Sequence, residues 1–202
     1  NLFGMGGRTA STTTGILIDG NRYEALKRFV YDRQPDGDAG LDTRFDVWFQ
    51  SSSEYSNYDF TKFLEPAKRQ GLGNAYYPEI PIMRLSEIYY IACEAQIGKD
   101  NALALQYLND VRDNRNLSLI QTVPDDATLL EYLVREMRKD FIGDGRTFLM
   151  HKRLFYDIYT VRGETVPASD NIFVIPIPDD EYEFSGIEKP GNTTDNNQSE
   201  LL

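Results

Sequence analysis

The stretch PIMRLSEIYYIACEAQ, residues 81–96, followed after IGKDN by ALALQYLNDVRDNRNL, residues 102–117, decides the fold class of this chain. Its spacing predicts a helix from about Met83 to Ile97. Leu85, Ile88, Tyr89, Ala92 and Gln96 fall on one side of that helix. Ala92, Cys93 and Ala95 are small enough to let a neighbour pack closely. Gly98 is a natural stop, and Asp100 is placed to cap a second helix. That helix is predicted to run to about Arg115, with Ala104, Leu105, Leu108 and Val111 inward. Two helices and a turn in a little over thirty residues have the size of a tetratricopeptide-like hairpin.

Working outward toward the C-terminus, a second pair is predicted over about 126–157. Leu130, Leu133, Val134, Met137 and Phe141 repeat at helical spacing and form the strongest amphipathic pattern in the chain. Gly143 and Gly145 interrupt it. A helix then resumes from Thr147 to Tyr156, with Phe148, Leu149 and Phe155 apolar. Ile172 to Ile177 reads as a short β-like run halted by Pro176 and Pro178.

Toward the N-terminus the pattern weakens. Residues 1–20 are rich in Gly, Ser and Thr and read as loop, with a short strand at Ile16–Ile18. A helix is predicted from Asn21 to about Tyr31, with Leu26, Phe29 and Val30 as its apolar stripe. Phe45, Val47 and Phe49 alternate with Arg44, Asp46 and Trp48, which predicts a short strand.

Composition narrows the function classes. The 202 residues carry a net charge of −11, which argues against nucleic acid, because phosphate binding needs clustered Lys and Arg. From Ser169 to Leu202, eight acids face one base, Lys189, so this end carries −7 of the −11. It reads as a solvated acidic tail. Cys93 is the single cysteine, so neither an internal disulfide nor a thiolate cluster is possible. No stretch has the ~18 apolar residues of a membrane span. The chain starts at Asn1 and reads as trimmed from a longer protein, with any targeting segment lying before it.

Three segments, taken together, resemble the SusD/RagB family. In residues 81–96, Arg84, Leu85, Glu87, Tyr90, Glu94 and Ala95 match its Arg-Leu-x-Glu helix, and Leu108, Asn109, Val111, Arg112 and Arg115 match the helix that follows. REMRKDFIGDGRTFLMHKRL, residues 135–154, is similar to its Arg-x-x-Glu-Phe-x-Gly-Glu-Gly block, with Asp140 and Asp144 where glutamates are usual. FVIPIPDDEYEFS, residues 173–185, is similar to its Pro-x-Pro-x-x-Glu ending. The likeness spans roughly Leu41 to Gly186.

The resemblance implies a mainly α fold: tetratricopeptide-like helical hairpins with an irregular, loop-rich lobe. Residues 1–80 would form that lobe, 81–186 the helical region and 187–202 the acidic tail. It implies a surface-exposed lipoprotein of the outer membrane in a Bacteroidetes-like bacterium. Its partners would be an oligosaccharide or other nutrient and a SusC-like TonB-dependent transporter, with the helical face toward the transporter and the loop lobe toward the ligand. Family members are much longer, so N-terminal helical pairs and a lipidated cysteine, the only membrane attachment, would lie outside this chain.

The residues themselves point to architecture first. Arg84, Glu87 and Glu94 lie on a packed helix, where Arg–carboxylate pairs can satisfy buried charge bidentately. For ligand binding the candidates are Trp48, Tyr55 and Tyr58, in a stretch rich in Ser and Asn. Aromatic faces stack on a pyranose while polar side chains bond its hydroxyls. The alternative is a core position, which is favoured for Phe49 and remains open for the three candidates. Asp36, Asp38, Gly40 and Asp42 spell D-x-D-x-G-x-D, but position 47, where a calcium loop places its distal Glu, is Val. They read as an acidic turn, so neither a metal nor a cofactor is expected. His151 stands alone beside Lys152 and Arg153, and no catalytic motif surrounds it. A binding protein is therefore expected. A helical-repeat protein–protein scaffold is the alternative, and a glycan-processing enzyme is the remoter one.

Overall fold

The computed structural model describes residues 16–31, 42–51, 58–62, 83–160, 163–175 and 177–184. It is mainly helical. Chain contacts divide it into two units, residues 1–167 and 168–202.

In the first unit, β1 (Ile16–Ile18) leads into α1 (Gly20–Leu26), which continues as a π-helical turn over Lys27–Tyr31. Asp19 caps α1 by accepting from the Arg22 amide at 3.0 Å. Leu26 and Val30 are buried as the stripe predicts, and Phe29 is half-buried. Next come α2 (Thr43–Trp48), β2 (Phe49–Ser51) and β3 (Tyr58–Phe60). The three strands form an antiparallel sheet in the order β1-β3-β2, with Ile16 and Phe49 both opposite Phe60.

The strand predicted over Phe45–Phe49 is therefore a helix for most of its length. Asp42 caps it, accepting from the Arg44 amide at 3.0 Å, and this short-range bond favours a helical start over an extended one. Phe45 and Phe49, one helical turn apart, are buried together, and Val47 between them is exposed. With Ile18, Leu26, Val30, Tyr31 and Phe60 they form a small aromatic core, joined by Ile142 from the helical region.

The helical region holds α3 (Leu85–Gln96), α4 (Asn101–Asp113), α5 (Asp126–Asp140) and α6 (Arg146–Leu154). These are the two predicted hairpins. The Asp100 carboxylate accepts from the Leu103 amide at 3.0 Å, as its position predicts. Gly98, at φ +76°, makes the left-handed turn between α3 and α4. Ala104, Leu105, Leu108, Val111, Leu133, Val134, Met137 and Phe141 are buried in one core. Leu130 is only partly buried, and its neighbour Leu129 takes the inner place.

Two apolar faces differ from expectation. On α3 the buried residues are Tyr90 and Cys93, while Leu85 is 73% exposed, Ile88 50% and Ile91 57%. On α6 the buried residues are Met150 and His151, while Phe148, Leu149 and Phe155 are exposed. A polar side chain lies on each inner face. Tyr90 reaches a buried carboxylate, and His151 Nδ1 lies 3.3 Å from the Tyr156 carbonyl. A short hairpin that the sequence pattern did not announce, β4 (Ile158–Tyr159) and β5 (Thr165–Val166), follows α6.

The second unit has α7 (Asp170–Phe173) and α8 (Asp179–Phe184). The β-like run expected from Ile172 is thus helical at its start, and Ile175 is 87% exposed. Alternating Ile and Pro had signalled extension, yet the Ser169 carbonyl accepts from both the Ile172 and Phe173 amides and closes a turn. The acidic tail, 187–202, lies outside the described residues, and no described helix is long and apolar enough to cross a membrane.

Candidate functional site

A cluster of buried charged residues fastens α2 and the segment before it to α5. Arg44, 1% exposed, bonds Asp42 at 2.6 Å, Glu136 at 2.7 Å and Asp140 at 3.1 Å. Arg112 meets Glu136 at 3.1 Å and Lys139 meets it at 2.6 Å. The Tyr90 hydroxyl donates to Asp140 at 2.6 Å, and the Tyr31 hydroxyl donates to the Lys139 carbonyl at 3.1 Å. The cations Arg44, Arg112 and Lys139, with Arg115 3.7 Å from Asp140, offset the acids Asp42, Glu136 and Asp140, which is what makes burial of so many charges tolerable. Burial works to raise the Glu136 carboxyl, but Lys139, Arg44 and Arg112 outweigh it and hold it down at about 2. At Asp140 burial is likewise outweighed, by Arg44 and Arg115 and by the Tyr90 hydroxyl, so its carboxyl lies below the usual range. An acid held this firmly ionised is a poor proton donor at neutral pH.

Around this centre run the arginine pairs foreseen on α3. Arg84 grips Asp144 with both nitrogens, at 2.8 and 3.0 Å. Glu87 pairs with Arg146, and Glu94 pairs with Arg153 through both nitrogens, one bond being 2.7 Å. The two latter pairs are seven residues apart on each helix, so α3 and α6 lie side by side and run in the same direction. Asp42, the last acid of D-x-D-x-G-x-D, belongs to the Arg44 cluster, and Asp36 and Asp38 lie outside the described residues. Among the described residues no group of three or more His, Cys, Asp or Glu is arranged to hold a metal ion.

The aromatic candidates sit on the sheet lobe. Trp48 ends α2, half-buried against the aromatic core, with the Lys62 ammonium 4.7 Å from its ring centroid. Tyr58 starts β3 and is half-buried. Its ring stacks on Tyr23 of α1 at 3.5 Å with the planes 3° apart. Tyr55 lies outside the described residues. Trp48 and Tyr58 flank the β2–β3 pair at opposite ends: the Trp48 carbonyl accepts from the Thr61 amide, whereas Tyr58 is opposite Ser51. Exposed Ser51 lies on Tyr58's face of the sheet, and exposed Gln50 lies on the opposite face with Asp59. Among the described residues, Trp48 and Tyr58 are thus half-buried rings with polar neighbours, the candidate positions for ligand stacking.

The motif reading missed Tyr23 and Lys62. Tyr23 is one aromatic within a helical stripe, and Lys62 an ordinary lysine in a polar stretch. Only the sheet register brings them to Tyr58 and Trp48. His151 is fully buried, and burial, with Arg138 adding to it, holds its imidazole below the ordinary value against the Tyr156 carbonyl bond. It serves packing at the end of α6.

A family model described as the SusD family matches residues 16–198. Neither the curated proteins nor the solved structures give a match to the chain.

Proposed function

From the premise that this chain belongs to the SusD family, we propose that it is part of a cell-surface binding protein that captures a glycan or another nutrient at the outer membrane and passes it to a SusC-like, TonB-dependent transporter. The family match over residues 16–198 carries the reading. The arrangement of charge supports binding without chemistry, because the buried acids Asp42, Glu136 and Asp140 are paired with cations. Trp48, Tyr55 and Tyr58 are the ligand-stacking residues in this reading, with Ser51 bonding hydroxyls. Stacking on these rings and hydrogen bonds from their polar neighbours supply the binding energy. The helical face meets the transporter, and exposed Leu85, Ile88, Ile91 and Leu149 favour a protein contact there. A lipid anchor on a preceding segment holds the protein at the membrane.

The apolar exposure on α3 also favours a second reading, a helical scaffold that holds a protein partner and takes no small ligand. A glycan array followed by calorimetry separates the two. Saturable capture of an oligosaccharide supports the nutrient-binding reading. Absence of capture across neutral, acidic and sulfated glycans, with retention of a protein partner, supports the scaffold.

A further inference from the structure

We propose that Lys62 is the positioning residue of the candidate ligand site: it seats the Trp48 indole and ties it to the turn between α5 and α6, so that loss of its proton unseats the ring. The inference rests on the reading of Trp48 as a ligand-stacking residue.

Lys62 lies two residues past the end of β3, and its side chain is 2% exposed. Its ammonium donates to the Asp140 carbonyl, to the Ile142 carbonyl at 2.7 Å, and pairs with the Asp144 carboxylate at 3.0 Å. An ammonium has three N–H groups, and these oxygens are acceptors for them. Carbonyls at the end of a helix such as α5 have no partner within the helix, so a buried cation is well placed there. The same nitrogen is 4.7 Å from the centroid of the Trp48 ring, within the range of a cation–π contact. Next to it, the Thr61 amide donates to the Trp48 carbonyl and the Thr61 hydroxyl to the Val47 carbonyl, each at 2.8 Å. The end of α2 is thus held by the Thr61 amide and hydroxyl, and the indole is held by the ammonium.

The charged groups facing Lys62 are Asp144 and Asp140, which favour its cation, and Arg84, which opposes it. Burial pushes the ammonium down to about 8, and the pull of Asp144 does not restore it. At pH 7 the clasp is therefore charged. Above pH 8 the neutral amine has one N–H fewer for three acceptors and no longer attracts the indole. Arg84 still holds Asp144, so the turn persists while the ring is released. The linkage has a definite sign. The folded value lies below the ordinary lysine value of 10.5, so deprotonation of Lys62 between pH 8 and 10.5 favours the folded state and does not melt it.

Trp48 is the single tryptophan of the chain and reports on its own seat. A protonated amine against an indole quenches its emission. In the absence of ligand, emission is expected to rise with a midpoint near pH 8 and acrylamide quenching to increase with it, with no fall in melting temperature across the step. Lys62→Met is expected to show the high-pH spectrum already at pH 7 and no step, whereas Lys62→Arg keeps a fixed charge and the low-pH spectrum. A flat wild-type profile from pH 7 to 9.5, or the same step in Lys62→Met, overturns the proposal. If Lys62→Met does not fold, the wild-type titration decides alone. A glycan array probed at pH 7 and 9.5 separates this inference from the function it rests on. Capture lost at pH 9.5 supports it, and equal capture at both overturns it while leaving the binding reading intact. No capture at either pH, with the emission step present, overturns the binding reading and reduces Lys62 to a clasp.

Discussion

Arg44 and Glu136, 92 residues apart in sequence, meet at 2.7 Å with each side chain 1% exposed. This bond joins α2 to α5. Arg44→Met removes one cation and leaves Asp42, Glu136 and Asp140 with unmatched buried charge. Breaking a buried pair from one side costs roughly 3–5 kcal/mol. Arg153→Ala removes a pair whose arginine is 56% exposed, and solvent screening holds its cost below about 1 kcal/mol. Urea denaturation of the two variants is expected to show a large loss for the first and almost none for the second. Equal losses would contradict the assignment of the buried cluster as the fastener.

Acid should open the same junction. Glu136 is held at about 2, below the ordinary glutamate value of 4.5, and Asp140 is also depressed. A depressed carboxylate contributes stability that is present above the unfolded value and is lost as pH falls toward the folded one. For Glu136 this is on the order of 3 kcal/mol, lost between about pH 5 and pH 2. Melting temperature measured from pH 7 to pH 2.5 is expected to fall mostly below pH 5. Glu136→Gln should flatten that fall as well as lowering stability at pH 7. An unchanged acid limb in this variant would show that other carboxylates control it.

Cys93 gives a reading of the helical core. It is fully buried, and burial, with the nearby Glu94 charge, pushes its thiol up to about 12. The thiolate is the reactive form. A thiol reagent at pH 8 is expected to leave Cys93 unmodified in the folded protein and to label it in urea, with a midpoint matching the loss of helical circular dichroism. Rapid labelling under native conditions would mean that α3 is not seated as described.

These contrasts show what was legible in the sequence. The bounds of α3, α4 and α5, the Asp100 cap and the inward residues Leu105, Leu108, Leu133 and Met137 follow from local spacing and were readable. The outward turn of Leu85 and Ile88 was not, because apolar spacing is blind to the bond that draws the Tyr90 hydroxyl to Asp140. The helix at Thr43–Trp48 was hidden behind an alternation of Phe45, Val47 and Phe49 that fits a strand equally well over so short a span. Arg84 and Asp144 could be singled out from motifs, but Arg44 and Lys62 stand in no motif, and the bonds that tie them to α5 reach across 92 and 78 residues. Of the candidate site, Trp48 and Tyr58 were legible as aromatics in a polar stretch. Tyr23, which stacks on Tyr58, becomes visible only once β1 and β3 are paired.

The aromatic strip can be divided by substitution. Tyr58→Ala leaves Tyr23 without its stacked partner, a contact worth about 0.5–1.5 kcal/mol beyond area burial. Trp48→Ala also removes part of the aromatic core and should cost more stability. Both variants, and Tyr55→Ala, are expected to bind glycan more weakly by ~1–2 kcal/mol, on the scale of aromatic contacts. Calorimetry alongside thermal melts checks this. Normal affinity in all three variants would move the ligand site away from this strip.

The most direct test of the central claim is to incubate the protein with an oligosaccharide that it retains on a glycan array and to weigh the sugar afterward by mass spectrometry. The account predicts saturable binding with the oligosaccharide recovered intact. Shortened or rearranged sugar, formed by the wild type and lost when one carboxylate is replaced, would contradict it and make the protein an enzyme.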